Sequence, residues 1–129
     1  MRMCVLLVVS CMLVCASCQH PSDPGENKTW IATDPIQCLE NPWEQAWLEE
    51  HDGDYDSYPR DRREQYEIIC DFYADMGVQI FSIITLQTYD IVCAACFCPA
   101  GYTLYLLVHE DDVPAMLELG YHVSAPYTK

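Results

Sequence analysis

The chain has 129 residues and carries 20 acidic against 6 basic side chains, for a formal net charge of −14. This length suits one domain with one hydrophobic core. The acidic balance argues against nucleic acid as a partner, because phosphate contacts require clustered lysine and arginine. It fits a well-solvated surface, or a cationic protein or metal partner, instead.

Residues 1–17 have the layout of a secretory signal peptide. Arg2 precedes an apolar run from Val5 to Cys15, and small residues follow it. The run is shorter than the roughly 20 apolar residues that a membrane-spanning helix needs. We therefore expect the protein to be exported and this leader to be removed.

The end of the leader resembles the lipobox of bacterial prolipoproteins, with the sequence Cys15-Ala16-Ser17-Cys18. In that family a small pair precedes a cysteine that is lipidated and becomes the mature N-terminus. The resemblance implies that Cys18 is lipidated and that the lipid bilayer of the cell envelope, on its periplasmic side or at the cell surface, is a partner. Cys15 stands where leucine is usual, so plain secretion after cleavage at Ser17 remains open.

The stretch after Cys18 is polar, punctuated by proline and glycine, and without periodicity. Such composition is typical of a disordered linker. We therefore predict a lipid-anchored tether over residues 18–36 and a single domain over residues 37–129.

The first helix of that domain is predicted by Asn41 followed by Pro42, an N-cap with proline at the first helical position. It should run to about Glu50. Trp43 and Trp47 share one helical face, where a core stripe is a better interpretation than a carbohydrate platform.

An acidic loop follows this helix. Asp52, Asp54 and Asp56 alternate like the first three ligands of an EF-hand. Ser57 stands where that loop needs glycine, and Arg63 stands where it needs a bidentate glutamate. A solvated acidic turn is therefore favoured over an irregular calcium loop.

A second helix is predicted from Asp61 to Met76, where apolar residues recur at three- and four-residue steps and Gly77 forms the C-cap. Cys70 falls on its apolar face.

Two strands are predicted next, over residues 78–89 and 102–109. A long loop, residues 90–101, should join them as a hairpin. A short helix should open at Glu110 or Asp111 and end at Gly120, with a third strand near 121–123. The order α-α-β-β-α predicts a small α+β domain whose helices cover one face of an antiparallel sheet.

Residues 90 to 122 combine a Cys-x-Cys, a Pro-x-Gly, a strand, an acidic helix start and a Leu-Gly-Tyr. This pattern resembles the C-terminal part of small uncharacterised bacterial envelope lipoproteins. The resemblance implies no activity.

The long loop contains three cysteines, Cys93, Cys96 and Cys98, which we call the loop cysteines. Export favours structural disulfides, with Cys38 and Cys70 as the other candidates. We predict that Cys70 pairs with one loop cysteine and Cys38 with another, because the helix bearing Cys70 should cover the hairpin. One loop thiol then stays unpaired if Cys18 is lipidated.

Two other uses of the loop cysteines remain open. Their thiolates are weak candidates for a zinc site, with Cys70, His51 or His109 as the fourth ligand. Cys93 and Cys96 form a Cys-x-x-Cys that could act in thiol redox chemistry, although the flanking hairpin pattern is atypical of such sites.

No catalytic residue and no cofactor is predicted. The acidic run after His109 is better explained as a helix start than as acid–base machinery, and the sequence contains no nucleophile elbow, phosphate loop or zinc-protease motif. The sequence therefore predicts a noncatalytic envelope lipoprotein that binds a partner or has a structural role. Alternatives are an exported zinc or thiol-redox protein and a secreted disulfide-rich protein without lipid.

Overall fold

The fold was obtained as a computed structural model, which describes residues 27–88 and 93–127. Within these ranges the chain forms four strands and three α-helices, joined by 3₁₀ turns at Tyr55–Ser57 and Glu110–Asp112. In chain order the elements are β1 (Lys28–Thr33), α1 (Pro42–Glu50), α2 (Arg62–Asp75), β2 (Ile80–Gln87), β3 (Tyr102–His109), α3 (Val113–Glu118) and β4 (His122–Val123).

The four strands form one antiparallel sheet in the order β2-β3-β1-β4. The predicted hairpin is confirmed as β2 paired with β3, and β3 has the predicted bounds. β2 begins two residues later than predicted and ends at Gln87, and the predicted strand end at Tyr89 lies outside the described residues. The predicted third strand near Val123 is confirmed as β4, which pairs with β1.

Strand β1 corrects the predicted domain boundary. Residues 28–33 were expected to belong to the tether, yet they pair with β3 over the whole of β1 and lie inside the sheet. Ile31 and Ala32 are fully buried there. The run Thr-Trp-Ile-Ala-Thr has the β-branched and aromatic composition of a strand, but its shortness and its polar flank concealed it. The tether expected over residues 18–26 lies outside the described residues.

The helices start and end where capping residues dictate. Asp61 caps α2, because its carboxylate accepts hydrogen bonds from the backbone N–H groups of Arg63 and Glu64, at 2.9 and 3.3 Å. After α2, Gly77 takes a φ of 82°, a left-handed conformation that glycine adopts without strain. The predicted second helix is therefore confirmed.

The core lies between the helices and one face of the sheet. Its sheet side comes from alternate residues of β3, Leu104, Leu106 and Val108, together with Ile31 of β1. Its helical side is formed by buried residues of all three helices, among them Trp43, Ile69, Tyr73 and Met116. The α+β fold with helices on one face of an antiparallel sheet is thus as predicted, and Trp43 belongs to the core rather than to a sugar-binding surface.

A buried pair of tyrosines ties α2 to the C-terminal segment. The hydroxyl oxygens of Tyr73 and Tyr121 lie 2.6 Å apart, within hydrogen-bonding distance, and both side chains are buried. Burial raises the pKa of Tyr73 above the usual value for tyrosine and raises that of Tyr121 well above it. Both rings therefore stay neutral, and each hydroxyl has a hydrogen-bond partner inside the core.

Candidate functional site

The loop between β2 and β3 is the most cross-linked part of the described chain. Cys93 is bonded to Cys98 within the loop, and Cys96 is bonded to Cys38, which precedes α1. The Cα atoms of the pair within the loop lie 5.8 Å apart, and those of Cys38 and Cys96 lie 5.0 Å apart. The prediction that Cys38 pairs with a loop cysteine is confirmed.

Backbone and side-chain hydrogen bonds hold the loop against the segment that follows β1. The N–H of Gln37 donates to the carbonyl of Cys98 at 2.9 Å, and the N–H of Ala100 donates to the carbonyl of Pro35 at 2.7 Å. The side-chain amide of Gln37 donates to the carbonyls of Cys93 and Pro99, at 2.6 and 3.1 Å. The loop therefore has hydrogen-bond support besides its disulfides.

The partner of Cys96 lies in a turn of unusual backbone conformation. Cys38 and Leu39 both have positive φ angles, 62° and 55°, a region that residues with a Cβ rarely adopt. The side chain of Asn41 closes this turn, accepting from the N–H of Ile36 and donating to its carbonyl, both at 2.9 Å. The predicted N-cap residue thus also bridges the turn that carries the disulfide.

Glu44 completes the start of α1. Its carboxylate accepts from the backbone N–H of Asn41 at 3.0 Å and from the Asn41 side-chain amide at 2.6 Å. Burial raises the pKa of Glu44, and the hydrogen bonds from Asn41 oppose this rise. The turn, the helix start and the disulfide are consequently one connected unit.

The loop presents an aromatic side chain to solvent. Phe97 lies between Cys96 and Cys98, each of which is held by a disulfide, and it is 81% exposed. Cys98 itself is buried. A large apolar side chain held on a cross-linked loop loses little conformational entropy when it inserts into a partner, which is the property of an interface anchor.

The predicted disulfide from Cys70 to the loop is wrong. Cys70 is a free thiol that lies on α2 beside residues 80–83 of β2. The loop is attached to the opposite end of that strand, beyond Gln87, so the two are too far apart for a bond that requires Cα atoms within about 7 Å. Burial raises the pKa of the Cys70 thiol, and the nearby carboxylates of Asp71 and Glu67 raise it further. Two of the loop cysteines, Cys93 and Cys98, bond to each other instead of to Cys70.

The geometry does not bring the weak zinc candidates together. All three loop cysteines are bonded in disulfides, so none is a thiolate in this state. His109 is the last residue of β3, and the loop adjoins the first residue of that strand. The two ends of a strand of this length lie about 23 Å apart. His51 stacks on the ring of Trp47, with 3.7 Å between the ring centroids. Over residues 27–88 and 93–127 no group of three or more Cys, His, Asp or Glu residues is arranged to hold a metal.

The disulfides also bear on the redox interpretation. Cys93 is bonded to Cys98 and not to Cys96, so the Cys-x-x-Cys pair is not the bonded pair. The two sulfurs of that motif belong to different disulfides.

The acidic loop after α1 folds as a capped turn. The carboxylate of Asp54 accepts from the backbone N–H of Asp56 at 3.1 Å and from the Ser57 hydroxyl. The hydrogen bond from Ser57 is the main cause that lowers the pKa of Asp54, and the backbone bonds add to it. Asp54 therefore stabilises the 3₁₀ turn at Tyr55–Ser57.

Two residues of the loop site were missed by the sequence reasoning. Phe97 could have been noticed, because it is an aromatic residue between two cysteines that were candidates for cross-linking. Its exposure is a property of the fold and carries no sequence signal. Gln37 gave no such signal, since its contacts are with residues 56 and 62 positions away.

Comparison with known proteins found no relative of this chain. No family model, no curated protein sequence and no solved structure matches the chain. Among the residues that the structure describes, no helix has the length and apolar character to cross a membrane.

Proposed function

We propose that this protein is an exported, noncatalytic module of the cell envelope that binds a protein partner through its disulfide-stapled loop. The observation that carries the proposal is Phe97, an exposed aromatic side chain between two cysteines that are each cross-linked. Aromatic residues dominate binding energy at protein interfaces, and preorganisation reduces the entropic cost of binding.

Export is supported by the disulfides. Disulfides persist in oxidising compartments and are rare in the cytosol. Four of the five cysteines in the described ranges are paired. This pairing agrees with the signal-peptide layout of residues 1–17.

The lipid anchor is part of the proposal and is supported by the lipobox resemblance of Cys15-Ala16-Ser17-Cys18. Intact-mass analysis of the mature protein tests it. We expect a mature chain that begins at Cys18, carries the mass of a diacylglycerol adduct and partitions into detergent. An unmodified N-terminus would contradict the lipid anchor and would favour a secreted protein without lipid.

Site-specific photo-crosslinking tests the role of the loop. A photoreactive side chain at position 97 should give one discrete crosslinked product in the native envelope. The same side chain at Tyr55, which is also exposed but lies outside the loop, is the matched control. If both positions give the same products, or neither gives any, the loop is not the binding site.

A further inference from the structure

A second surface, distant from the loop, has the form of a peptide-binding groove. It begins with β2, which occupies the edge of the sheet and pairs only with β3 among the described strands. Its eight residues, IFSIITLQ, contain no charge and no proline. Edge strands usually carry charged residues or proline, which prevent pairing with other chains. An edge without them is available for pairing.

The edge has one irregularity, a β-bulge between Ile80 and Ser82. A bulge bends the strand and interrupts regular pairing locally. From Ser82 to Gln87 the pairing with β3 is regular. This segment therefore has the backbone geometry that an added strand needs.

Helix α2 runs alongside this edge and forms the other wall of a groove. The groove has a cavity volume of about 560 Å³, and its apolar lining includes Tyr66, Ile80 and Ile83. A second hollow of about 310 Å³ extends it towards Val78, and Cys70 lines both. An open strand edge beside a helix is the arrangement in which proteins add an extended peptide as an extra strand.

The charge of the groove selects its occupant. Of the described residues that line it, Glu67 and Asp71 are acidic and Arg63 is basic, and Arg63 lies 4.0 Å from Glu67 in a solvent-exposed ion pair. Two further cations contact β2 from outside this lining, Arg62 at the hydroxyl of Thr85 and Lys28 at the ring of Phe81. Among the described residues that line the second hollow, Asp71 is the only charged one. A second copy of the chain would bring its own net charge of −14 against this surface, whereas a basic segment would be attracted to it.

We propose that the α2–β2 groove binds an extended, cationic segment of another protein, which adds to the edge of β2 as a fifth strand. Its apolar side chains pack against Tyr66 and Ile83, and its lysine or arginine side chains reach Glu67 and Asp71. The inference goes beyond the proposed function, because it concerns a surface distant from the loop and names the chemistry of what binds there.

The test uses a capped peptide of alternating valine and lysine with the same length as β2. We expect it to bind the mature protein, to protect from hydrogen exchange those amides of residues 82–87 that point away from β3, and to slow alkylation of Cys70. The double variant Glu67→Gln/Asp71→Asn should bind about fivefold more weakly, as expected for the loss of two exposed ion pairs. The matched control, Glu49→Gln/Glu118→Gln, removes the same charge from exposed positions outside the groove and should bind like the unmodified protein.

Two further peptides separate strand addition from simple charge attraction. A valine–lysine peptide in which every residue is N-methylated keeps its charge but has no backbone N–H to donate from either edge, so it should not bind. A valine–glutamate peptide should not bind either. Equal binding of the N-methylated peptide, or equal binding by the groove variant and its control, overturns the inference.

Two other outcomes are decisive. A mature protein that is dimeric by light scattering, and that becomes monomeric on Ile83→Lys, would show that a second copy occupies the groove and would overturn the inference. Phe97→Ala should leave peptide binding unchanged. Failure of the peptide to bind therefore overturns the groove alone, while failure of crosslinking at position 97 overturns the loop alone.

Discussion

The disulfide between Cys38 and Cys96 should contribute more to stability than any other covalent feature of the described chain. We predict that replacing both residues with alanine lowers the free energy of unfolding by about 4 kcal/mol, from the chain-entropy relation for a separation of 58 residues. The same relation gives about 2 kcal/mol for Cys93 and Cys98, which are only 5 residues apart. A typical domain has only about 5–15 kcal/mol of stability in total.

Urea unfolding followed by tryptophan fluorescence and by circular dichroism measures this difference. For a slope of about 2 kcal/mol per molar urea, the variant lacking Cys38 and Cys96 should unfold at a midpoint about 2 M lower, twice the shift of the variant lacking Cys93 and Cys98. Cys70→Ala is the control. It removes a half-buried free thiol and should change the free energy by less than about 1 kcal/mol.

Reductant provides an independent test of the same reasoning. It should destabilise the unmodified protein and have little effect on a variant that lacks all four paired cysteines. The reasoning fails if removing either disulfide lowers the free energy of unfolding by the same amount, because the chain-entropy relation ties the effect to loop length. It also fails if Cys70→Ala is the most damaging of the three changes, because Cys70 would then be a disulfide partner.

Three further predictions concern the core, the turn before α1 and alkaline pH. Tyr121→Phe should cost about 1–3 kcal/mol by leaving the buried Tyr73 hydroxyl unpaired, and the double change to phenylalanine should cost less than the sum of the two single changes in urea unfolding. Asn41→Ala should cost about 1–3 kcal/mol, because both hydrogen bonds to Ile36 are lost, and a thermal melt with an unchanged midpoint would contradict the bridging role. Burial, helped by the Glu44 carboxylate, raises the pKa of Tyr102 to about 12, above the value near 10 of an unfolded chain. Its stabilising contribution is therefore complete below about pH 10 and is lost as the pH rises towards about 12, so Tyr102→Phe should reduce the loss of stability measured over that interval.

The sequence was most informative where the signals are local. The bounds of β3 and the start of α2 at Asp61 were predicted correctly, because alternation of side chains and capping residues act within a few positions. The α+β class followed from the order of such elements. The start of α1 at Asn41 was also predicted, although the contacts of its side chain with Ile36 were not.

The sequence was less informative where a residue's role depends on distant parts of the chain. β1 was assigned to a tether because six residues carry little periodic signal, and its place inside the sheet comes from pairing with β3, more than seventy residues later in the chain. The groove beside β2 depends on where α2 packs, which the sequence of neither element specifies alone.

The cysteines show the same division most clearly. The sequence alone predicted that several would be cross-linked, because the expected export leader implies an oxidising compartment. Which cysteines pair was decided by the tertiary structure. The apolar face of α2 correctly placed Cys70 at the sheet, but periodicity along a helix does not say which end of a strand it meets. Cys70 lies beside the end of β2 that is far from the loop, whereas the turn at Cys38 lies against the loop itself, so a bond that requires close Cα atoms forms only at Cys38.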